Sequence, residues 1–391
     1  LTTDLTDTRG ECIYSACRHY ARCFIEHTVR RARGADIVVA NHALVMIQAA
    51  LGGLAGGSGG EGGLPTRYVF DEGHHLFDAA DAAFSAHLSA RETADLRRWI
   101  LGAEAGSRSR SRGLRERIGD LIDGDAKAMD ALAEAIKAVH ALPGVGWGNR
   151  LADGAPQGLA EAFFAFVRQQ VYARDPDGRS PYSLETETTP PVDGLLEAAV
   201  ALDQALAQLI TPLSRLIGAL AVVLDAEAQD LDSHTRSRIE AMCRGLDRRG
   251  RQQAQGWRRM LQALSGETPE EFVDWFGVDR IDGRDIDIGL HRHWIDPTQP
   301  FAEVVLAPAH GVLVTSATLR DGTCDAETDW RAAERRTGAH HLAAPPKLTD
   351  QPSPFDYAAL TQVLIVGDVN RDDPDQVAAA YRELFLAAGG G

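Results

Sequence analysis

Two adjacent carboxylates, Asp71 and Glu72, follow the apolar run Tyr68-Val69-Phe70 and are followed in turn by Gly73-His74. Tandem acids at the end of an apolar strand can divide the work of phosphoryl transfer, one holding a divalent cation and the other orienting water. Asp71 is assigned to Mg²⁺, an ion that uses one or two carboxylates and keeps several of its waters. Glu72, pointing the other way, is assigned to the attacking water. A second apolar run, Gly311 to Val314, ends in Thr315-Ser316-Ala317-Thr318-Leu319. A third constellation is Cys12-x4-Cys17-x5-Cys23. Three thiolates at this spacing suit a [4Fe–4S] cluster that takes a fourth ligand from elsewhere. Zn²⁺ held by three Cys with His19, Cys243 or Cys324 is the alternative, although zinc sites favour tighter pairs. Three free thiols complete the range, and Cys243 and Cys324 are otherwise isolated thiols.

The elements that must carry these residues are legible in outline. His19 to Arg33 reads as a helix stopped by Gly34. Asp36-Ile-Val-Val-Ala40 reads as a short buried parallel strand, and residues 51–65 as a glycine-rich loop that is costly to order. The run at 67–70 is a strand whose carboxyl end presents Asp71, the position where open parallel sheets bind ligands. From 91 to 290 the apolar spacing is helical, as in Leu195, Leu202, Leu206, Leu209, Leu213 and Leu216, with Pro212 expected to kink the longest helix. Breaks at 143–156 and 174–192 separate the helices. After Pro300 the α/β pattern returns, with a strand at 311–315, a further strand at 362–366 and a helix from Asp375 to Ala388.

Composition bounds the reading. A chain of 391 residues has room for two or more domains. The N-terminal residues have neither the basic nor the apolar region of a secretory signal, and no apolar run of membrane-spanning length is expected. Cysteine usage fits a reducing compartment, and the expected address is the cytoplasm. A net charge of −16 argues against a nucleic-acid partner, because cations displacing counterions supply most of such affinity. Local charge qualifies this: residues 9–33 hold Arg9, Arg18, Arg22, Arg30, Arg31 and Arg33 against Glu11 and Glu26. That stretch is assigned to DNA. Two later arginine-rich stretches, from Arg97 to Arg117 and from Arg244 to Arg259, read as solvated helix faces.

Taken together, the cysteine run, Ala35-Asp-Ile-Val-Val-Ala-Asn-His42, Asp71-Glu-Gly-His74 and Thr315-Ser-Ala-Thr-Leu319 resemble the iron–sulfur helicases of superfamily 2, the DinG/XPD type. Ser353-Pro-Phe-Asp-Tyr357 looks like that family's approach to its second motor domain. The resemblance implies an α/β fold: a partial, parallel-sheet RecA-like motor with an iron–sulfur module and a large all-helical arch insertion. Residues 1–34 would be the cluster module, 35–90 part of the first motor domain, 91–290 the arch, 291–346 the rest of that motor and 347–391 the start of the second. His74, Ser316 and Thr318 would link the γ-phosphate state to DNA movement, and Arg18, Arg22 and Arg30 would contact DNA. His42 reads as a local hydrogen-bonding residue, to which the family match adds a nucleotide or DNA contact; His75 has no assigned role. Gly73 stands where the family carries Ala, a change between small residues expected to matter little.

A phosphate-cradling loop needs Gly-Lys-Ser/Thr, and the three lysines, Lys127, Lys137 and Lys347, each follow another residue. A Gln-x-x-Gly-Arg stretch is likewise absent. The expectation is therefore the ATPase-incompetent central part of a monomeric, ATP-dependent 5′→3′ helicase acting on single-stranded and forked DNA. Two rivals stand beside it: a non-catalytic iron–sulfur scaffold that has lost the motor, and a metal-dependent nuclease built on Asp71 and Glu72.

Overall fold

The computed structural model describes residues 17, 19–54, 65–104, 111–175, 181–226, 231–323 and 325–389. The chain divides into two compact units, Leu1–Pro345 and Pro346–Gly391.

In the first unit a helical turn at Tyr20–Arg22 leads to α1 (Phe24–Arg33) and then α2 (His42–Leu54). Strand β1 (Arg67–Phe70) is followed by a tight turn at Gly73–His75, α3 (Leu76–Phe84) and β2 (Ala86–Ser89). Next come α4 (Ala90–Leu101), α5 (Leu114–Ile118), α6 (Ala126–Ala138), α7 (Trp147–Ala152), α8 (Gly158–Ala173), β3 (Leu184–Glu187) and α9 (Leu195–Ala226). Helix α10 (Ser233–Gly245) continues through a wider-wound stretch into α11 (Gln253–Ala263), before strands β4 (Phe272–Ile281) and β5 (Arg284–Trp294). The unit closes with α12 (Thr298–Phe301), β6 (Gly311–Val314) and α13 (Ala326–Thr337). The second unit holds α14 (Tyr357–Leu360) and α15 (Pro374–Ala387), the latter capped by the Asp373 carboxylate on the Asp375 and Gln376 amides.

Two hydrophobic cores organise the first unit. The smaller surrounds the motif-bearing strands: Met46, Ala49, Tyr68, Phe70, Leu76, Ala80, Phe301 and Val305 are buried together. Strands β1 and β6 pair in parallel, Arg67 with Gly311 through Phe70 with Val314. One face of this ribbon is packed, while Val69 and Leu313 on the other are exposed.

The larger core belongs to the insertion, and here one expectation is corrected. The segment is not all helical: β2, β5, β4 and β3 form a four-stranded antiparallel sheet in that order. Its hairpin turns at Asp282-Gly283, both with positive φ (49° and 73°), the backbone of the tight turn whose twist matches paired strands. Phe276, Val278, Ile288 and Leu290 bury one face against Phe163, Phe164 and Val167 of α8. Across the hairpin Arg292 donates two hydrogen bonds to Asp274, at 2.7 and 2.6 Å, and both side chains are buried. Helix α9 is long and apolar enough to cross a membrane by length and composition, contrary to expectation. Its Leu195, Leu202, Leu206, Leu209, Leu213, Leu216 and Leu220 are instead buried against α6, α8, α10 and α11. It runs as a single helix through Pro212.

Two expected strands are not formed. Residues 37–40 carry no regular secondary structure, with Ile37, Val38 and Val39 exposed. Residues 362–366 likewise carry none, with Val363 and Ile365 exposed. Both runs have strand composition, but a strand also needs a neighbour to accept its backbone hydrogen bonds, and among the described residues none lies alongside.

Candidate active site

The parallel register of β1 and β6 puts both motifs at the same end of the ribbon. Thr315 N–H continues the ladder by donating to Phe70 O at 2.8 Å, and Gly73 N–H donates back to Thr315 O at 2.9 Å. Between these two bonds the chain must reverse sharply. It does so at Glu72, whose φ of 52° and ψ of 49° are left-handed, a conformation that is uncommon outside glycine. The turn points Glu72 toward the Thr-Ser-Ala-Thr segment.

Side chains complete the link. His74 Nδ1 lies 2.8 Å from Ser316 Oγ and 3.3 Å from Thr318 Oγ1. Ser316 Oγ donates toward Glu72 Oε2 at 3.5 Å and accepts from Thr318 N–H at 3.2 Å. Glu72 Oε2 is itself 3.4 Å from His74 Nδ1. Glu72, His74, Ser316 and Thr318 therefore form one polar network across a sequence separation of more than 240 residues. Asp71 stands beside it, exposed at the strand end, its carboxylate engaged by no other described protein group. Such an arrangement leaves one carboxylate open to a hydrated cation and holds the other in a hydrogen-bonded relay to the neighbouring strand.

Gly73 is buried, and its smallness is required. A methyl group built there would lie 2.2 Å from Val314 Cγ1. The close approach of the box to β6 uses the missing side chain.

The cysteine segment is described in part. Cys17 and Cys23 flank the Tyr20–Arg22 turn, Cys17 O accepting from Tyr20 N–H at 2.9 Å and Cys23 N–H donating to Tyr20 O at 3.1 Å. Both thiols are free and half-buried. Two soft sulfur donors flanking one hydrogen-bonded turn are of the type that iron–sulfur clusters use. Cys12, Arg18 and Cys324 lie outside the described residues. Cys243 sits half-buried on α10, its thiol pKa raised by burial.

Of the basic residues assigned to DNA, Arg22 is exposed. Arg30 is engaged: its Nε donates to Glu26 Oε1 at 2.8 Å and its guanidinium lies 4.6 Å over the Tyr20 ring. His42 heads α2 rather than ending a strand, and its ring packs 6.0 Å from that of Phe70. His75 packs against His74, ring centroids 4.0 Å apart.

One cluster escaped sequence reasoning altogether. Asp296, just after β5, meets His340 and His341 beyond α13. The adjacent histidines were the visible signal, but their partner lies more than 40 positions upstream.

A stretch of 95 residues is 34% identical to the ATP-dependent DNA helicase YoaA of Escherichia coli (strain K12). The YoaA helicase of Haemophilus influenzae matches to the same extent. No protein-family model matches the chain. The similar stretch covers 24% of this chain and 14% of each relative, so what is shared is a helicase-related segment.

Proposed function

We propose that this chain is the central part of an ATP-dependent DNA helicase of the DinG/XPD type. The observation that carries the reading is the 2.8 Å contact between His74 and Ser316, made possible by the parallel pairing of β1 with β6. A network joining an acidic strand end to a hydroxyl-rich one suits a site that must feel the presence of a γ-phosphate. Asp71 would hold Mg²⁺ beside ATP and Glu72 would orient the attacking water, with Ser316 and Thr318 relaying the change along the motor. The similarity to the YoaA helicases supports the same class. So do the bare face at Val69 and Leu313 and the exposed run at 37–39, since parallel sheets are ordinarily covered on both faces.

Cys12, Cys17 and Cys23 would provide three ligands to a [4Fe–4S] cluster, which would supply a rigid cross-link and an electron-accepting centre. The described pair fits, being free, half-buried and set on a single turn. Arg18, Arg22 and Arg30 would face single-stranded or forked DNA, with translocation 5′→3′ by a monomer in the cytoplasm, near the nucleoid.

A nuclease would be expected to gather further carboxylates beside Asp71 and Glu72. The described groups that gather there are His74, Ser316 and Thr318. A scaffold without a motor would have no use for the Glu72–Ser316–His74 relay.

The test is hydrolysis. In the complete helicase, Glu72→Gln should abolish DNA-stimulated ATP turnover while nucleotide binding persists, and the 391-residue chain alone should not turn over ATP. Hydrolysis by the chain alone that Glu72→Gln removes would overturn the partial-motor reading. Unchanged turnover in the complete Glu72→Gln protein would overturn the role of the box.

A further inference from the structure

We propose that Asp296, His340 and His341 form a binding site for a transition-metal dication of the Zn²⁺ class, separate from the carboxylate box and from the cysteine turn. Asp296 Oδ2 lies 3.1 Å from His340 Nε2 and 2.9 Å from His341 Nε2, and the three donor atoms all fall within 4.8 Å of one another. Ligands about 2.0–2.2 Å from zinc in a tetrahedron stand roughly 3.3–3.5 Å apart. The two separations from Asp296 Oδ2 are therefore a few tenths of an ångström short of such an edge, the histidine donors lie within 4.8 Å of each other, and adjustment of the three side chains admits the ion.

The surroundings hold the donors in the required orientation. Asp296 Oδ1 accepts from Thr298 N–H at 3.0 Å and from Thr298 Oγ1 at 2.6 Å, which leaves Oδ2 for the histidines. His340 Nδ1 lies 3.2 Å from the Glu334 carbonyl, the outer-shell contact that ordinarily fixes a metal-bound imidazole. That contact also carries a chemical constraint. A neutral imidazole has one N–H, and if Nδ1 donates it to Glu334 O, then Nε2 faces Asp296 Oδ2 as lone pair against lone pair. Either a second proton on the imidazole or a metal cation between the two atoms satisfies both.

Two imidazoles and one carboxylate favour Zn²⁺, Co²⁺ or Ni²⁺ over Mg²⁺. All three side chains are about a quarter to a third exposed, at 35%, 31% and 25%, so an ion can enter and a water can complete its coordination. The consequence is mechanical. The ion would tie the segment after β5 to the turn after α13, and α13 packs against α3 and against the Gly73–His75 turn. It would brace the box from behind.

Equilibrium titration of the chain with Co²⁺, read by its visible absorption, tests the assignment. Beyond any Co²⁺ bound by the thiols, the expected result is one further ion per chain with the spectrum of nitrogen and oxygen ligation, displaced by Zn²⁺ and not by Mg²⁺. Asp296→Asn and the pair His340→Ala, His341→Ala should each remove that ion, whereas exposed His310→Ala should not. Zn²⁺ should raise the thermal midpoint of the wild type and leave Asp296→Asn unmoved. Folding of the variants is followed by far-ultraviolet circular dichroism. If these variants fold yet bind as many ions as the wild type, or if the wild type takes up no Co²⁺ beyond that bound by its thiols, the cluster is a hydrogen-bonded clamp and the proposal fails.

Discussion

Replacing Gly73 by Ala should loosen the joint between the carboxylate box and β6. The new methyl would sit 2.2 Å from Val314 Cγ1, where carbon atoms ordinarily approach to about 3.5–4.0 Å. The overlap is roughly 1.5 Å, and a β-branched side chain has little rotational freedom with which to yield. The Thr315 carbonyl at 3.5 Å and Val314 Cβ at 3.7 Å hem in the other directions. The box must therefore move outward, stretching the 2.9 Å bond from Gly73 N–H to Thr315 O and the 2.8 Å contact of His74 with Ser316. Overpacking of this kind costs about 1–3 kcal/mol. The larger core lies elsewhere in the chain, so global unfolding would dilute the effect, and hydrogen exchange on peptides covering 67–75 and 311–318 is the better assay. Local opening should become about 5- to 150-fold more frequent. Val314→Ala alone should cost about 1 kcal/mol of lost burial, but in the double variant Gly73→Ala, Val314→Ala the new methyl occupies the vacated space. The pair should therefore be less disturbed than Gly73→Ala alone, with a coupling of about 1–2 kcal/mol. Undiminished protection in Gly73→Ala, or no recovery in the double variant, would refute the steric account.

Two further outcomes follow from charge. Burial, reinforced by Asp287 and Asp95, pushes the Glu92 carboxyl up to about 7 from its ordinary 4.5, so the folded chain keeps a proton that the unfolded chain has released and stability falls as pH rises through that window. Burial, helped by His291 and His293, depresses His87 from 6.5 to about 4; here the unfolded chain binds the extra proton, and stability rises over much of the same window. The two slopes offset in the wild type, so Glu92→Gln should expose a stability gain on the order of 2–3 kcal/mol between pH 4.5 and 6.5 in urea titrations; curves parallel to the wild type would reject the assignment. In the complete protein, Arg22→Ala should weaken single-strand binding and reduce its salt slope by roughly 0.7, while Arg30→Ala should change it less, because Arg30 already serves Glu26 and Tyr20. Any iron held at the proposed cysteine site must be unchanged for the comparison to count, and equal effects of the two would sink the ranking.

What the sequence made legible were the local signals tied to their own strand ends. Tyr68 to Phe70 and Gly311 to Val314 could be read as strands because each apolar run stops at a motif, and they do pair. The hairpin at Asp282-Gly283 was equally visible, a two-residue turn signal between runs of alternating apolar residues. It was submerged by the helical composition on either side. The opposite error occurred at 37–39 and 363–365, where β-branched runs suggested strands that have no described neighbour. Propensity reports what a segment can do, and pairing depends on distant chain. The Asp296–His340–His341 cluster was illegible for the same reason: proximity there is created by α12 and α13 packing together.

The arginine-rich stretches of the insertion bear on where nucleic acid could bind an acidic chain. Arg97 donates to Glu104, Arg98 pairs with Asp95, and Arg117 is buried with its guanidinium 4.6 Å from the Trp99 ring. In the later stretch Arg251 pairs with Asp247, and Arg258 donates to Asp203 at 2.7 Å. A guanidinium already bonded to a carboxylate must break that bond before it can neutralise a phosphate, and it releases fewer counterions when it does. Much of the positive charge from Arg97 to Arg259 thus holds the insertion together. The exposed guanidinium of Arg22, beside the cysteine turn, is freer to meet a phosphate backbone, which is why the salt slope should respond to Arg22 before it responds to Arg30.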